Sequence, residues 1–522
     1  MTGWRPLGEA SVYLDLGSVQ RVDSIYVLLG DSRPVRFDVY RGQPERWEYS
    51  ASFHEKGYYA WRSIDMGGAE SRYIKLLFYG QTGKMDEIYV VNEDNEKITV
   101  DRIWSEGEVD GDVASLVDEQ ELAELDSTYR SQTYFDEIYY VRAAEEYLNG
   151  EEPFEWTHPP LGKLIIALGV SVFGFSPFGW RILGVVFATL MVPTIYVLSK
   201  KMFHTRMAAS ISAFLLTFDF LHFTMGRIAT VDTYAIFFTI ASTLFFFLNY
   251  RGISEGEFNF NGLLVFLGII FFSLAFSTKW YTIYGLIGQV FLILLFAIRA
   301  FLRSQHGLTD RLKEYALKPL SVLLLSFVLG GLVYASTFIP YMMLGHGLTD
   351  VYTRQFSMYN YHANLEATHP FSSAWWSWPL IARPLWLYVS HLPSGKISTI
   401  TAMGNPVIWW VGLAFMLSIF WRAIRRGDKT CLFILCLFLF QWLPYVFIRR
   451  CLFIYHFYTN VPMLILATTH FLNASWEDKW GRIFTIAYLS TTLIAFVLFY
   501  PVISGYPILE QGIPKWLKGW IL

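Results

Sequence analysis

From about residue 160 to its end, the chain is a succession of apolar runs long enough to cross a membrane. They fall near 180–199, 207–225, 231–249, 262–278, 281–299, 319–339, 406–421, 430–447, 452–472 and 482–500. About 20 predominantly apolar residues carry a helix across the hydrocarbon core, where backbone polar groups must be satisfied internally. The pattern predicts a polytopic α-helical membrane protein with about ten spans, the one at 262–278 being short. The run 161–175 is also apolar but shorter, and suits a helix lying in the interface. Composition agrees: charged residues are 16% of the chain, against roughly 25% in soluble domains, and aromatics reach 18%. A formal net charge of −3 and only 3 cysteines exclude a basic nucleic-acid binder and a disulfide scaffold. Those cysteines, Cys431, Cys436 and Cys451, all fall in or beside predicted spans.

Lys and Arg concentrate in one alternating set of short connections: 200–206, 249–252, 299–318, 421–429 and 474–482. The positive-inside rule places that set in the cytoplasm. The N-terminal part, the loop 340–405 and the C-terminal tail are then extracytoplasmic. An exported N-terminal part needs a signal, and residues 1–30 have neither a basic start nor an apolar core. The expectation is that the natural start lies upstream.

Residues 1–105 read as a different kind of structure. SVYLDLG (11–17), RVDSIYVLLG (21–30), VRFDVYRG (35–42), AWRSIDMG (60–67), SRYIKLLFYG (71–80) and MDEIYVV (85–91) are short strands separated by turn residues, a pattern expected of an antiparallel β-sandwich. The phrases YLDLG, Trp47 after a turn, SRYIKL and the late Glu87 resemble the discoidin (coagulation factor 5/8 C-type) jelly roll, with its first strand missing. That resemblance implies a carbohydrate or lipid-surface ligand held by loops; a spacer with no ligand fits the residues equally well. Residues 106–133 read as a linker.

The chemistry gathers where the chain enters the membrane region. Within 134–179, Asp136 and Glu137 are adjacent just before a helical pattern, and His158-Pro159-Pro160 stiffens the approach to the apolar stretch. The acidic pair also suits a simple helix N-terminus. Further ionisable groups sit at span ends: Arg227 and Asp232, Lys279, then Arg449, Arg450 and His456. A charge at membrane depth costs about 2.5–3.5 kcal/mol on insertion scales, so it faces a cavity or a partner, or snorkels to the headgroups. All lie on the outer side of the predicted topology. A cationic set beside an acidic pair at the outer face is what a lipid-linked phosphate requires, with Arg suited to bidentate contact. No Gly-rich phosphate loop appears. His362 and His369, near Glu366, have helical metal-ligand spacing, but Pro370 and the surrounding small residues read as a loop, and no metal site is expected. The stretch AWWSWPLIARPLW (374–386) reads as an interfacial or amphipathic segment rather than as a sugar platform.

The run FDE…HPPLGKLIIAL…WRILG…VP, then FDFLHFTMGRIATVD, STKWYTIYG, HPFSSAWWSWPLIARPLW, MGNPVIWW and QWLPYVFIRRCLFIYHFY, in that order over about 134–500, resembles the protein O-mannosyltransferases, most closely their bacterial branch. The resemblance implies a C-type glycosyltransferase fold with eleven spans, its acidic motif in the first outer loop. The first of those spans is missing here, so it is expected upstream, with the jelly roll inserted after it and the transmembrane core, including outer loop 340–405, occupying 180–522. The implied activity is transfer of a sugar, mannose above all, from a polyprenyl-phosphate donor to Ser or Thr hydroxyls of secreted proteins, in the cell membrane of a bacterium. Asp136 would act as base with inversion at the sugar carbon, Glu137 would orient the site, Arg227, Arg450, Lys279 and His456 would hold the donor phosphate, and His158 and Asp232 would shape the site. No cofactor and no nucleic acid are implied. Two other readings use the same residues: a lipid or cell-wall glycan acceptor, and a non-enzymatic carbohydrate-binding membrane protein.

Overall fold

The computed structural model describes residues 3–120, 128–255, 258–392, 395–512 and 519–520. The linker 106–133 and the C-terminal tail thus lie partly outside the described residues. The chain divides into two compact units, Met1–Ile138 with Phe175–Pro177, and Tyr139–Gly174 with Phe178–Leu522.

The first unit is antiparallel β. Its strands are β1 Arg5–Leu29, β2 Val35–Gln43, β3 Arg46–Glu55, β4 Ala60–Tyr79, β5 Met85–Val91, β6 Lys97–Ile98 and β7 Arg102–Asp110, in the order β3-β2-β4-β1-β5-β6 with β7 also on β1. The segments expected as separate strands at 11–17 and 21–30 are one bent strand, and so are 60–67 and 71–80. The reason is the bulge. Register jumps on β1 between Asp15 and Gln20 and between Val22 and Ser24, and the bends hold Gly17, Gly67 and Gly68 at φ 75, 64 and 66. Only glycine adopts that conformation without strain. Each long strand thereby changes partners along its length. Glu9–Asp15 of β1 lies between Tyr73–Tyr79 of β4 and β7, whereas Ser24–Leu29 lies between Ala60–Asp65 of β4 and β5. Two layers arise from one hydrogen-bonded sheet, as bulged strands allow. Alternate residues Val12, Leu14, Ile74, Leu76 and Phe78 face inward with Ile25, Val27, Ile88 and Val90, all fully buried. Strand β7 carries regular structure past residue 105, to Asp110.

The second unit is helical. Among the described residues, seven helices are long and apolar enough to cross a membrane: Pro177–Phe203, Asp232–Ser254, Trp280–Arg303, Leu308–Ser336, Pro406–Arg426, Lys429–Phe447 and Lys479–Ser504. Side-chain caps start many of them. Asp428 accepts from Cys431 N at 3.0 Å and Asp478 from Gly481 N at 2.8 Å, each satisfying an otherwise orphaned amide. Three expected spans are not continuous long helices. Over 207–225 the helix Arg206–Thr217 breaks before Phe220–Met225, because Asp219 leaves the helix to cap the second piece. Its buried carboxylate accepts from His222 N (3.0 Å) and Trp409 Nε1 (2.8 Å). Over 452–472 a 3₁₀ turn, Ile454–Asn460, precedes the shorter helix Val461–Ser475. At 262–278 the helix is Gly262–Phe276. The run 161–175 forms Leu161–Phe173, with Leu168, Val172 and Phe173 exposed.

The loop 340–405 is more ordered than its sequence suggests. It holds the helix Leu348–Ala363, a 3₁₀ turn Trp375–Leu380, and the hairpin β8 Leu385–Leu392 with β9 Lys396–Ala402, to which Ile508–Leu509 adds a third strand. The Trp-rich stretch has one buried and one exposed side, with Trp378 fully buried and Trp376 exposed, and it ends where Leu385 opens the hairpin.

Candidate active site

Asp136 and Glu137 sit in a tight turn that starts the helix Glu137–Asn149. Glu137 N donates to Tyr134 O at 3.2 Å, and Glu137 Oε2 accepts from Tyr134 N at 3.2 Å. Phe135, between them, is held at φ 51. That conformation is costly for an aromatic residue and persists only where surrounding structure enforces it. The two acids are therefore not equivalent. Glu137 is fully buried and closes the turn; Asp136 is half-buried at its tip.

In the helical unit, a network of ionisable side chains runs through the buried segment 155–163. Lys163 Nζ donates to Glu155 Oε2 (2.8 Å), Glu155 O and His158 O (2.8 Å), so all three ammonium protons are used. Glu155 Oε1 accepts from His158 Nδ1 at 2.9 Å. Burial opposes ionisation of Glu155, yet Lys163 and His158 hold its carboxyl well below the usual carboxylate range. The His158 ring meets His362 edge-on, with centroids 5.0 Å apart. His362 lies in the last turn of Leu348–Ala363, not in a loop; its Nε2 donates to Thr157 O (2.9 Å) and its Nδ1 accepts from Arg450 Nη1 (3.1 Å). Burial, then the His158 and Arg450 charges, push His362 down to about 4. These partners fix a neutral imidazole with the proton on Nε2, oriented to hold a guanidinium.

A second buried pair borders this network. Both oxygens of Asp232 accept from Lys279 Nζ at 2.9 Å, and Tyr281 donates to Asp232 at 3.0 Å. Lys279 lies 5.3 Å from the Tyr455 ring centroid, and Tyr455 stacks on His456. His456 is buried between Trp378 and Tyr445, with centroids at 5.9 Å from each. Arg227 instead donates to Ser504 O at 2.9 Å and lies over the Phe223 ring.

Of the sequence candidates, the fold brings His158 and Arg450 together through His362, with Lys279, Asp232 and His456 alongside; Arg227 is placed at the end of Lys479–Ser504. Sequence reasoning misses Glu155, Lys163 and His362 at this site. Lys163 carried a usable signal, a charge inside an apolar helix, the same one that marks Lys279. By sequence His362 stands out only as a metal-ligand candidate. A separate trio, Asp428, Cys431 and His470, brings ligand atoms within 4.8 Å of one another. There Asp428 serves as a helix cap, and Arg422 approaches His470 Nε2 at 3.4 Å, which opposes a second cation.

Two family models cover this frame. Residues 157–311 match the dolichyl-phosphate-mannose-protein mannosyltransferase family, and 347–520 match the C-terminal four-span region of protein O-mannosyltransferases. His158, Lys163, Asp232 and Lys279 fall in the first segment, His362, Arg450 and His456 in the second. The chain belongs to the protein O-mannosyltransferase family. It is a glycosyltransferase and a multi-pass membrane protein. Among curated relatives, the polyprenol-phosphate-mannose–protein mannosyltransferase of Mycobacterium tuberculosis is 24% identical over 454 residues, covering 74% of this chain and 86% of the relative. The protein of the same name from Corynebacterium glutamicum is 23% identical over 438 residues, covering 70% and 81%. The S. cerevisiae Pmt1-Pmt2 complex bound to the sugar donor superposes with a TM-score of 0.60 at 13% identity, covering 71% of this chain and 86% of that one. The fold of the helical unit is thus the C-type glycosyltransferase fold.

Proposed function

We propose that the chain transfers mannose from a polyprenyl-phosphate donor to Ser or Thr hydroxyls of exported proteins, at the extracytoplasmic face of a bacterial cell membrane. The observation that carries the reading is the guanidinium of Arg450, aimed by a neutral His362 within a family-matched frame. Arg450 receives the donor phosphate, since a guanidinium takes two phosphate oxygens at once. Lys279 is committed to Asp232 and positions the aromatic wall around Tyr455 and His456. His158 is fixed by Glu155 and holds the His362 side of the site. Arg227, held at Ser504, supports the donor from a separate position.

Asp136 takes the proton of the acceptor hydroxyl as the oxygen attacks the anomeric carbon. The new C–O bond forms as the bond from that carbon to the phosphate oxygen breaks. Polyprenyl phosphate leaves with the electron pair, its charge met by Arg450. Attack from the side opposite the phosphate inverts the configuration. Glu137 closes the turn that presents Asp136 and takes no proton. As written, the displacement uses no cofactor. The Lys- and Arg-rich connections support the assignment of faces.

The test is label transfer from polyprenyl-phosphate mannose to an acceptor peptide in membranes carrying the full chain. Asp136→Asn is expected to lower the rate by about 10²–10⁴-fold, with donor binding kept. Equal rates would remove Asp136 from the chemistry, and label appearing only in glycan would overturn the protein acceptor.

A further inference from the structure

A cavity of about 320 Å³ opens beside the helix Leu348–Ala363. Asp350, Thr353, Arg354 and Ser357 line it from one face of that helix, at the i, i+3, i+4, i+7 spacing that makes a single stripe. Trp156 and Tyr341 supply the opposite walls. The Arg354 guanidinium lies 4.5 Å from the Tyr341 centroid and 5.7 Å from that of Trp156, and Tyr341 stacks on His346 at 3.9 Å. Glu152 ties the rim together, accepting from Arg354 Nη2 and pairing with His346 Nε2, both at 2.7 Å. The walls are preformed. The helix face itself is open, with Thr353 and Ser357 exposed.

The charge here is the reverse of that around Arg450. Two half-exposed carboxylates stand against one guanidinium and one imidazole: Glu152 pairs with Arg354 and His346, and Asp350 Oδ2 lies 4.0 Å from His346 Nδ1. A phosphate is disfavoured in this cavity. Amide N–H donors and cationic side chains are favoured, with Trp156 and Tyr341 as flat apolar contacts. The cavity is also in line with the phosphate end of the site. Trp156 precedes Thr157, whose carbonyl accepts from His362 Nε2, and the same helix runs from Arg354 to His362. Eight helical residues rise about 12 Å. An extended chain covers that in about four residues at roughly 3.3 Å each, and the hydroxyl, on the far side of the sugar from the phosphate, stands within a few residues of that span.

We propose that this cavity is a subsite for the acceptor polypeptide. It holds a residue a few positions from the hydroxyl that receives the sugar, and prefers Lys or Arg there over Asp or Glu. The inference rests on the protein-acceptor reading above and adds to it a position and a charge.

The full chain in membranes is assayed with polyprenyl-phosphate mannose and two peptide series, carrying Lys or Glu at each position from two to six residues on either side of a single Thr. Wild type is expected to show an acceptor KM about threefold lower for Lys than for Glu on one side, the size of a half-exposed charge contact. Ser357→Trp, at an exposed position, fills the cavity and is expected to raise the acceptor KM about tenfold, leaving the donor KM and the rate at saturating peptide unchanged. Thr353→Arg turns the charge balance and is expected to abolish or reverse the Lys preference. An unchanged acceptor KM in Ser357→Trp, or an equal rise in donor KM, would overturn the subsite while wild-type peptide transfer still supported the activity. Wild-type transfer to glycan alone would overturn the protein acceptor itself.

Discussion

Each unit of this protein buries a glutamate, and the two are treated in opposite ways. In the β unit, Glu87 is 4% exposed on strand β5, and its Oε1 has no hydrogen-bond partner among the described residues. Burial, then the nearby Asp118 charge, push its carboxyl up to about 8. In the helical unit, Glu155 is 7% exposed, yet Lys163 and His158 hold it ionised despite burial. Depth of burial does not separate the two; the partners do. A sheet packed by alternation leaves a carboxylate that points inward with few places to find a cation. A loop folded back on a helix by His158-Pro159-Pro160 brings one within 2.8 Å. The first arrangement is tolerated by staying protonated, whereas the second builds a fixed electrostatic scaffold under the candidate site.

The largest effect that tests this contrast is removal of the cation. Lys163→Met leaves Glu155 buried and uncompensated, and is expected to destabilise the helical unit by about 3–5 kcal/mol. Adding Glu155→Gln should restore most of the loss. Thermal unfolding of single and double variants measures both, and equal instability of the two would show that the pair was not the reason.

Next is the group that the scaffold supports. Arg450→Met is expected to weaken donor binding by about 10–100-fold, the worth of a charge-assisted contact, without loss of folding. Binding of polyprenyl-phosphate mannose to the purified variant measures it. An unaltered affinity would move the phosphate elsewhere.

The smallest effect is on the β unit. The folded Glu87 carboxyl titrates near 8 against an ordinary 4.5, so the folded state binds the proton more tightly. Its stability contribution is full below about 4.5 and is lost as pH rises through about 8. Hydrogen exchange of β5 amides in the full chain should therefore speed up over that window beyond the intrinsic rise. Glu87→Gln should flatten the dependence. Glu155, with its pKa lowered, contributes above 4.5 and loses its share only in strong acid, so amides around it should show no such slope.

How far these features were legible varies by element. The helix Asp232–Ser254 and the predicted span 231–249 nearly coincide, because a continuous apolar run leaves a helix as its only low-cost state in lipid. The predicted span 207–225 hid a break, since Asp219 is acceptable there only once Trp409, 190 residues later, reaches its carboxylate. Strand segments of β1 and β4 were visible from alternation. Their continuity through glycine bulges was not, because a bulge is defined by its partner strand. At the site, Lys279 and Asp232 were each marked by charge at membrane depth. That they neutralise each other follows only from packing.

The sequence by itself determined the class of this protein: its repeated apolar runs, the lone β-patterned N-terminal stretch and the ordered motifs from Asp136 to His456. Those are local properties, set by periodicity, composition and covalent neighbours. The tertiary structure decided which charges act alone and which are paired. Arg450 meets His362 across 88 residues, and Lys279 meets Asp232 across 47. Such contacts depend on the packing of distant helices, and the strength of a buried charge depends on what stands within a few ångströms of it.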